Sequence, residues 1–437
     1  MAEKHKIVGK ESILPFVLVT ALFFLWALPN NLNDILIPQF MKSFELNRLQ
    51  AGLVQSAFYM GYFLLALPAA LIMDKYNYKT GLIIGLLLFA AGCFLFWPAA
   101  STGRYGFFLF ALFVIASGLA FLETGSNSFI AVLGDPATSE HRLNFSQSFN
   151  PLGSMTGVLV GTVFIFSGTE LSGSQIETLK NAGTYKAYLH EEIMRVGPPY
   201  LIIGTIILLW AFLIWRTKFP VERENTGKES ENRGKLSTLL HYPHFLRGVV
   251  AQFFYVGAQV GTWSFMIQYL KDYMQKPEKE AGAMLFIAIV AFGVGRFVST
   301  ALMKRFEPKK LMGLYSIINV ALCSTAILMP GLIGGWALVT SSFFMSLMFP
   351  TIFALSIKGL GPHTKLGASI VVMAIIGGAV CTPLMGMISD KTHSMALAIL
   401  VPLVSYLFII YYSYMGSRPS GPLYNATGTI DQDDRDW

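Results

Sequence analysis

Apolar residues run along this chain in blocks about twenty long, separated by short polar clusters. Twelve blocks stand out, at residues 13–36, 48–73, 80–99, 106–133, 144–168, 197–216, 245–270, 281–303, 310–330, 334–358, 367–389 and 395–415. A helix needs about 20 mostly apolar residues to cross a bilayer. The pattern therefore predicts an all-α membrane protein with twelve transmembrane helices. Blocks one to six end near Lys218. The next stretch, Val221 to Lys235 (VERENTGKESENRGK), has no apolar period and reads as a flexible linker. A faint internal echo accompanies this division. Met73-Asp74-Lys75-Tyr76 with Lys79 follows block two, and Met303-Lys304-Arg305-Phe306 with Lys309 follows block eight, 230 residues later. We therefore expect an N-terminal six-helix half over 1–216, a linker over 217–243, a C-terminal six-helix half over 244–416 and a tail over 417–437.

Composition agrees with the pattern. Hydrophobic residues make up 54% of the 437 positions and charged residues 13%, with a mean hydropathy of +0.55. A soluble domain carries about 25% charged residues. The net charge of +7 could suggest a nucleic-acid partner, but the positions of the charges argue against one. With the N-terminus inside, 21 Lys and Arg fall on the cytoplasmic side and 10 on the other, and Arg296 lies within a helix. That bias is the positive-inside rule, and it places both termini in the cytoplasm. Block one is too long for the apolar region of a signal peptide and lacks a small-residue cleavage site, so it reads as retained. Cys93, Cys323 and Cys381 lie in apolar blocks and imply no disulfide framework.

Three ionisable side chains fall clearly inside the blocks: Asp34, Glu123 and Arg296. Asp34 belongs to WALPNNLNDILIPQF, Trp26 to Phe40, which also carries Asn30, Asn31 and Asn33. A carboxylate at membrane depth costs roughly 2.5–3.5 kcal/mol even on the lenient insertion scale, so it faces a protein interior or a wet cavity. On a helix Asn30, Asn33 and Asp34 share one face. We read that face as lining a path for solute. Glu123 opens ETGSNSF in block four, with Asn127 one turn on. A low-dielectric cavity disfavours the charged form of a carboxyl group, and such a group can take up a proton on one side and release it on the other. Two acids without a basic partner in the same half fit proton coupling, with structural hydrogen bonding as the alternative. Arg296, in FGVGRF, reads as a gating or helix-tying residue near the inner side, as does Asp74 in its repeated loop.

Block five holds Gln147 and Asn150 at i, i+3, and block seven holds Gln252, Tyr255, Gln259 and Trp263 on one face. Amides bond hydroxyl groups without net charge, and aromatic rings cover apolar C–H faces. Either these residues bind a neutral, hydroxyl-rich ligand or they join helices through polar bonds. The seven histidines fall in predicted loops or tails, which disfavours a histidine relay or histidine-bound metal. No GxxxxGK[ST] occurs, and no nucleophilic triad is placed, so neither ATP drive nor an enzyme is expected. Residues 177–196 read as a short amphipathic helix on the outer side, and the acidic tail as disordered.

At these residues the chain resembles a known family. FFLWALPNNLNDILIPQF, LQAGLVQSAFYMGYF, GLAFLETGSNSF, RLNFSQSFNPLG, AQFFYVGAQVGTWSF, FPTIFALSIKGLG and IIGGAVCTPLMGMISD resemble the fucose/glucose/galactose:proton symporters of the major facilitator superfamily. The likeness runs over nearly the whole chain. It implies the major facilitator fold, with a site near the bilayer midplane between two halves, in a bacterial inner membrane. It implies import of a neutral monosaccharide (L-fucose, galactose, glucose or a related sugar) with protons, by alternating access, with no cofactor. The alternative is an uncoupled facilitator or exporter of the same fold. It further implies that Asp34 and Glu123 are the protonation pair, that Glu123, Gln147 and Asn150 contact sugar, with Asn127 beside them, and that Trp26, Asn31, Gln259 and Trp263 line the cavity. A monomer is the expected working unit. The chain departs from the family pattern at Gly125, Ser126, Ser128 and Pro151, and at Phe349, where the family's fucose transporters carry Tyr. These changes bear on which sugar is bound.

Overall fold

The computed structural model describes residues 12–133, 139–219, 236–303, 305–360 and 363–418. The linker read at Val221–Lys235 and the acidic end of the tail lie outside them. The described residues are helical and contain no strand. Among them, eleven helices are long and apolar enough to cross a membrane. The predicted seventh span is also a helix, Pro243–Met274, and its 32 residues reach about 48 Å. It stands outside that set because Gln252, Gln259, Thr262, Ser264, Gln268, Lys271 and Asp272 make it more polar. The all-helical expectation holds.

Contacts divide the chain into two units: Met1–Glu222 with Trp263–Val290, and Arg223–Thr262 with Ala291–Trp437. The first unit holds spans one (Ile13–Ser43), two (Arg48–Lys75), three (Tyr78–Thr102), four (Tyr105–Val132), five and six (Gly197–Arg216). It also holds the second half of span seven and the first half of span eight (Glu278–Leu302). Asn47 caps span two, with Gln50 reaching back to close a capping box, and Asn77 caps span three. Span one packs along span five, and span three lies between four and six. Small residues set these distances. A Cβ on Gly153 would stand 2.2 Å from the Phe24 carbonyl oxygen, and one on Gly157 would stand 2.4 Å from that of Leu28. Without a hydrophobic force between helices in lipid, such close backbone packing carries much of the association.

Span five is interrupted, where the sequence pattern predicts one block. Ser139–Gln147 ends, and Asn150–Val160 starts with Pro151 in its first turn. Proline has no N–H to give to the turn before it. The chain tightens there instead, with Ser148 and Phe149 bonding back three residues. The outer connector is likewise two short helices, Gly173–Asn181 and Tyr185–Met194, rather than one. Gly183, at φ +71°, turns the chain between them.

The second unit holds the first half of span seven, the end of span eight and spans nine (Pro308–Leu328) to twelve. Span nine packs on ten and twelve. A Cβ on Gly377 of span eleven would lie 2.0 Å from the Phe253 carbonyl of span seven. Span ten is broken into Leu332–Met345 and Met348–Ile357. His244, placed by sequence in a loop, sits buried in the first turn of span seven, 2.9 Å from the Lys358 carbonyl.

Candidate functional site

Asp34 lies on the polar face of span one, in the second half of Ile13–Ser43, and is 4% exposed. Its Oδ1 accepts two hydrogen bonds, from Gln55 Nε2 of span two at 3.0 Å and Ser264 Oγ of span seven at 2.9 Å. Gln55 Nε2 also reaches Ser264 Oγ, at 2.8 Å. Both partners are neutral, and Asp34 has no ion-pair partner among the described residues. On the same helix Asn33 is fully buried, and its amide meets no hydrogen-bonding partner among the described residues. Asn31 gives its amide to the Ala27 carbonyl of its own helix, at 3.1 Å.

Span two connects this acid to the other. Gln55, Tyr59 and Tyr62 stand at i, i+4 and i+7, which is one helical face. Tyr59 feels the charge of both Asp34 and Glu123. The buried Tyr62 hydroxyl is in the neighbourhood of Glu123 and Asn30 but makes no hydrogen bond of ordinary geometry among the described residues. Further along span four, Asn127 gives its amide to the Glu123 carbonyl at 2.9 Å. Its Oδ1 accepts from Gln147 Nε2 of span five at 3.2 Å. On the far side of the span-five break, Asn150 Nδ2 reaches the Phe23 carbonyl at 3.4 Å. Phe23 in turn packs on Trp26, with ring centroids 4.4 Å apart. The first unit thus gathers Asp34, Glu123, Asn127, Gln147, Asn150 and Trp26 around spans one, two, four and five. Its chemistry is two carboxyl groups with no ion-pair partner among the described residues, several amides and aromatic rings, a set suited to hydroxyl groups and protons.

At the end of span one away from the N-terminus, the outer end by the charge rule, an ionic cluster forms. Lys42 pairs with Glu192 at 3.0 Å and lies 3.6 Å from Glu278. Lys271 pairs with Glu278 at 3.1 Å and Glu170 at 3.0 Å, and Arg48 pairs with Asp272. Gln39 also donates to Glu192. Lys42, Glu170, Lys271 and Glu278 border a cavity of about 390 Å³ that Tyr185 and Tyr188 help line. The Glu192 and Glu278 side chains are 3% and 1% exposed. Removing one member of a buried pair leaves a charge uncompensated, at a cost of about 3 kcal/mol. Lys42→Met is therefore expected to lower the melting temperature of the purified protein by several degrees. Lys276→Met, which breaks the exposed Lys276–Glu280 pair, is expected to leave it within a degree. Equal melting temperatures for the two variants would contradict the contribution of the Lys42 pairs.

In the second unit, the break in span ten follows from Pro350. Lacking an N–H, it leaves the Ser346 carbonyl without its helical partner. Arg296 Nε faces that oxygen at 3.5 Å, and the Tyr255 hydroxyl donates to the Met345 carbonyl at 3.1 Å. The Arg296 guanidinium also lies 5.0 Å over the Phe292 ring. Phe349 sits beside Tyr255, with ring centroids 6.3 Å apart. Gln252 is fully buried, Gln259 of the second unit is half-buried, and Trp263 of the first is 9% exposed. The side chain of Asp74 lies outside the described ones.

Sequence reasoning missed Gln55, Tyr59, Tyr62 and Ser264. The four-residue spacing of Gln55 and Tyr59 in an apolar block was the available signal. Ser264 offered none, since a lone serine in a span usually bonds its own backbone.

The Major Facilitator Superfamily model matches residues 18–365. The chain is 42% identical over 416 residues to the L-fucose-proton symporter of Escherichia coli (strain K12), covering 94% of each chain. It is 34% identical over 402 residues to a glucose/galactose transporter of Brucella abortus (strain 2308), covering 92% of this chain and 93% of that one. A crystal structure of the E. coli fucose:proton symporter in the outward conformation matches with a TM-score of 0.69 and 41% identity, over 94% of this chain and all of that one. A D-xylose-proton symporter matches with a TM-score of 0.70 at 12% identity, over 92% of this chain and 97% of that one, a likeness of fold alone.

Proposed function

The chain belongs to the Major Facilitator Superfamily, and from that premise we propose that it is a proton-coupled symporter importing a neutral monosaccharide by alternating access. It is a multi-pass transporter of the bacterial inner membrane, not an enzyme, and its coupling ion is the proton. Its relatives carry L-fucose, or glucose and galactose, by their names. The observation that carries the reading is Asp34: a carboxyl group in a membrane span, nearly dry, bonded only to neutral side chains. A structural carboxylate at this depth would be expected to pair with a cation.

In this reading Asp34 and Glu123 take up and release the proton. Glu123, Asn127, Gln147 and Asn150 bond the sugar hydroxyls, and Trp26, Asn31, Gln259 and Trp263 complete the cavity. Asp74 and Arg296 serve gating and helix-tying roles. Two six-helix halves, 1–216 and 244–416, rock about the site, and the monomer suffices. The membrane potential contributes about 2.3 kcal/mol per proton for each 100 mV.

The test is external pH above lightly buffered, de-energised cells holding this protein. L-fucose, D-galactose, D-glucose, D-mannose, D-fructose and N-acetylglucosamine are added in turn. We expect alkalinisation with at least one, which establishes symport and identifies the sugar together. Entry of labelled sugar with no pH change would overturn proton coupling.

A further inference from the structure

We infer that Ser264, with Gln55, ties the second half of span seven to the charged form of Asp34, so that protonation of Asp34 loosens this half of the helix. The inference rests on Asp34 being a proton-coupling group. It makes Ser264 a positioning residue, since its hydroxyl acts through Asp34.

Three observations carry it. The first is the closed triangle: Ser264 Oγ to Asp34 Oδ1 at 2.9 Å, Gln55 Nε2 to the same oxygen at 3.0 Å, and Gln55 to Ser264 at 2.8 Å. Ser264 is fully buried, and Gln55 nearly so, so water does not compete for these bonds. The second is placement. Span seven is one unbroken helix, yet its contacts change allegiance between Thr262 and Trp263. Ser264 is the second residue past that point, and it bonds directly to span one. The third is the nature of the other ties. The same half of span seven is also held by Arg48–Asp272 and by Lys271 with Glu170 and Glu278. Those pairs sit at the outer surface, and none includes Asp34. Among these ties, the Ser264 bond is the one made to the Asp34 carboxyl group itself.

The chemistry has a definite sign. A hydrogen bond to a carboxylate is about twice as strong as one to a neutral acceptor. When Asp34 binds a proton, both donors face a neutral acid and the triangle weakens. The titratable neighbour on span two is Tyr59, whose electrostatic environment also includes Glu123 of span four. Lys42 lies two turns further along span one, with Glu192 of the outer connector and Glu278 of span eight. Span seven presents the neutral Ser264 itself.

The test is a distance measurement between spin labels in the full-length protein, without sugar. Labels go on cysteines introduced at Ser101, at the outer end of span three, and Gln275, just beyond span seven. Both positions are exposed, and the native cysteines are buried. In the otherwise unaltered protein, the ratio of long to short distances is expected to rise about tenfold from about pH 8 to about pH 5. Ser264→Ala should already show the longer distances at the higher pH, with the rise cut to under about threefold. Ser264→Thr, which keeps the hydroxyl, should restore the response. Gln55→Met should behave as Ser264→Ala does.

Asp34→Asn separates this inference from the reading beneath it. If Asp34→Asn removes the pH response while Ser264→Ala keeps it in full, the tie is overturned and Asp34 stands. If Asp34→Asn itself keeps the response, both are overturned.

Discussion

Asp34→Asn is expected to abolish concentrative uptake while leaving the protein folded and able to exchange sugar across the membrane. The size of the loss follows from the driving force. A potential of about 150 mV supplies roughly 3.5 kcal/mol per proton, and each 1.36 kcal/mol is a factor of ten. Accumulation ratios of a few hundred should therefore collapse to one. The fold should survive because asparagine keeps an oxygen where Asp34 Oδ1 accepts from Gln55 and Ser264. The decisive pair of measurements is labelled-sugar accumulation in energised cells and counterflow in de-energised ones. Loss of the first with retention of the second marks coupling. Uphill uptake by Asp34→Asn would remove Asp34 from the proton path.

The second large effect is steric. Gly153→Leu is expected to yield no folded protein, because a Cβ at that position would meet the Phe24 carbonyl oxygen at 2.2 Å and the Ala27 Cβ at 2.9 Å. A backbone oxygen cannot swing aside as a long side chain can. Spans one and five would have to part by more than an ångström. That would pull Asn150 from the Phe23 carbonyl and Ser146 Oγ from Thr20 Oγ1, which now lie 3.4 Å and 2.8 Å apart. Gly106→Leu is the control, since a Cβ there meets nothing within 4 Å. Size-exclusion profiles of detergent extracts decide the matter. A monodisperse Gly153→Leu peak at the level of the Gly106→Leu control would contradict the packing described.

The fold was largely legible in the sequence because a membrane helix declares itself by length and apolarity, and these are local properties. Span seven shows the limit of that signal. Its polar residues make it the least apolar of the twelve, although its apolar block at 245–270 still predicted a span. The interruptions were less legible. Pro151 and Pro350 were visible, but a proline in a span can kink, break or merely bend it, according to what takes up the orphaned carbonyl. At span ten that is decided by Arg296 and Tyr255, far away in sequence. The acids stood out because charge is rare at membrane depth. Their neutral partners did not: Gln55 and Ser264 are ordinary residues whose role comes from the way spans one, two and seven fold together. The outer ionic cluster was hidden for another reason. Lys42, Glu192 and Glu278 look like solvated loop charges until folding buries the two carboxylates.

The break in span ten also has an electrostatic consequence. A helix that ends inside a protein carries about half a negative charge at its carbonyl end. The first half of span ten ends at Met345, within a stretch long and apolar enough to cross a membrane. The Arg296 guanidinium stands at that end, near the Ser346 oxygen. That helix end offsets at most about half of its positive charge. Arg296 thus caps the broken helix where Pro350 supplies no N–H.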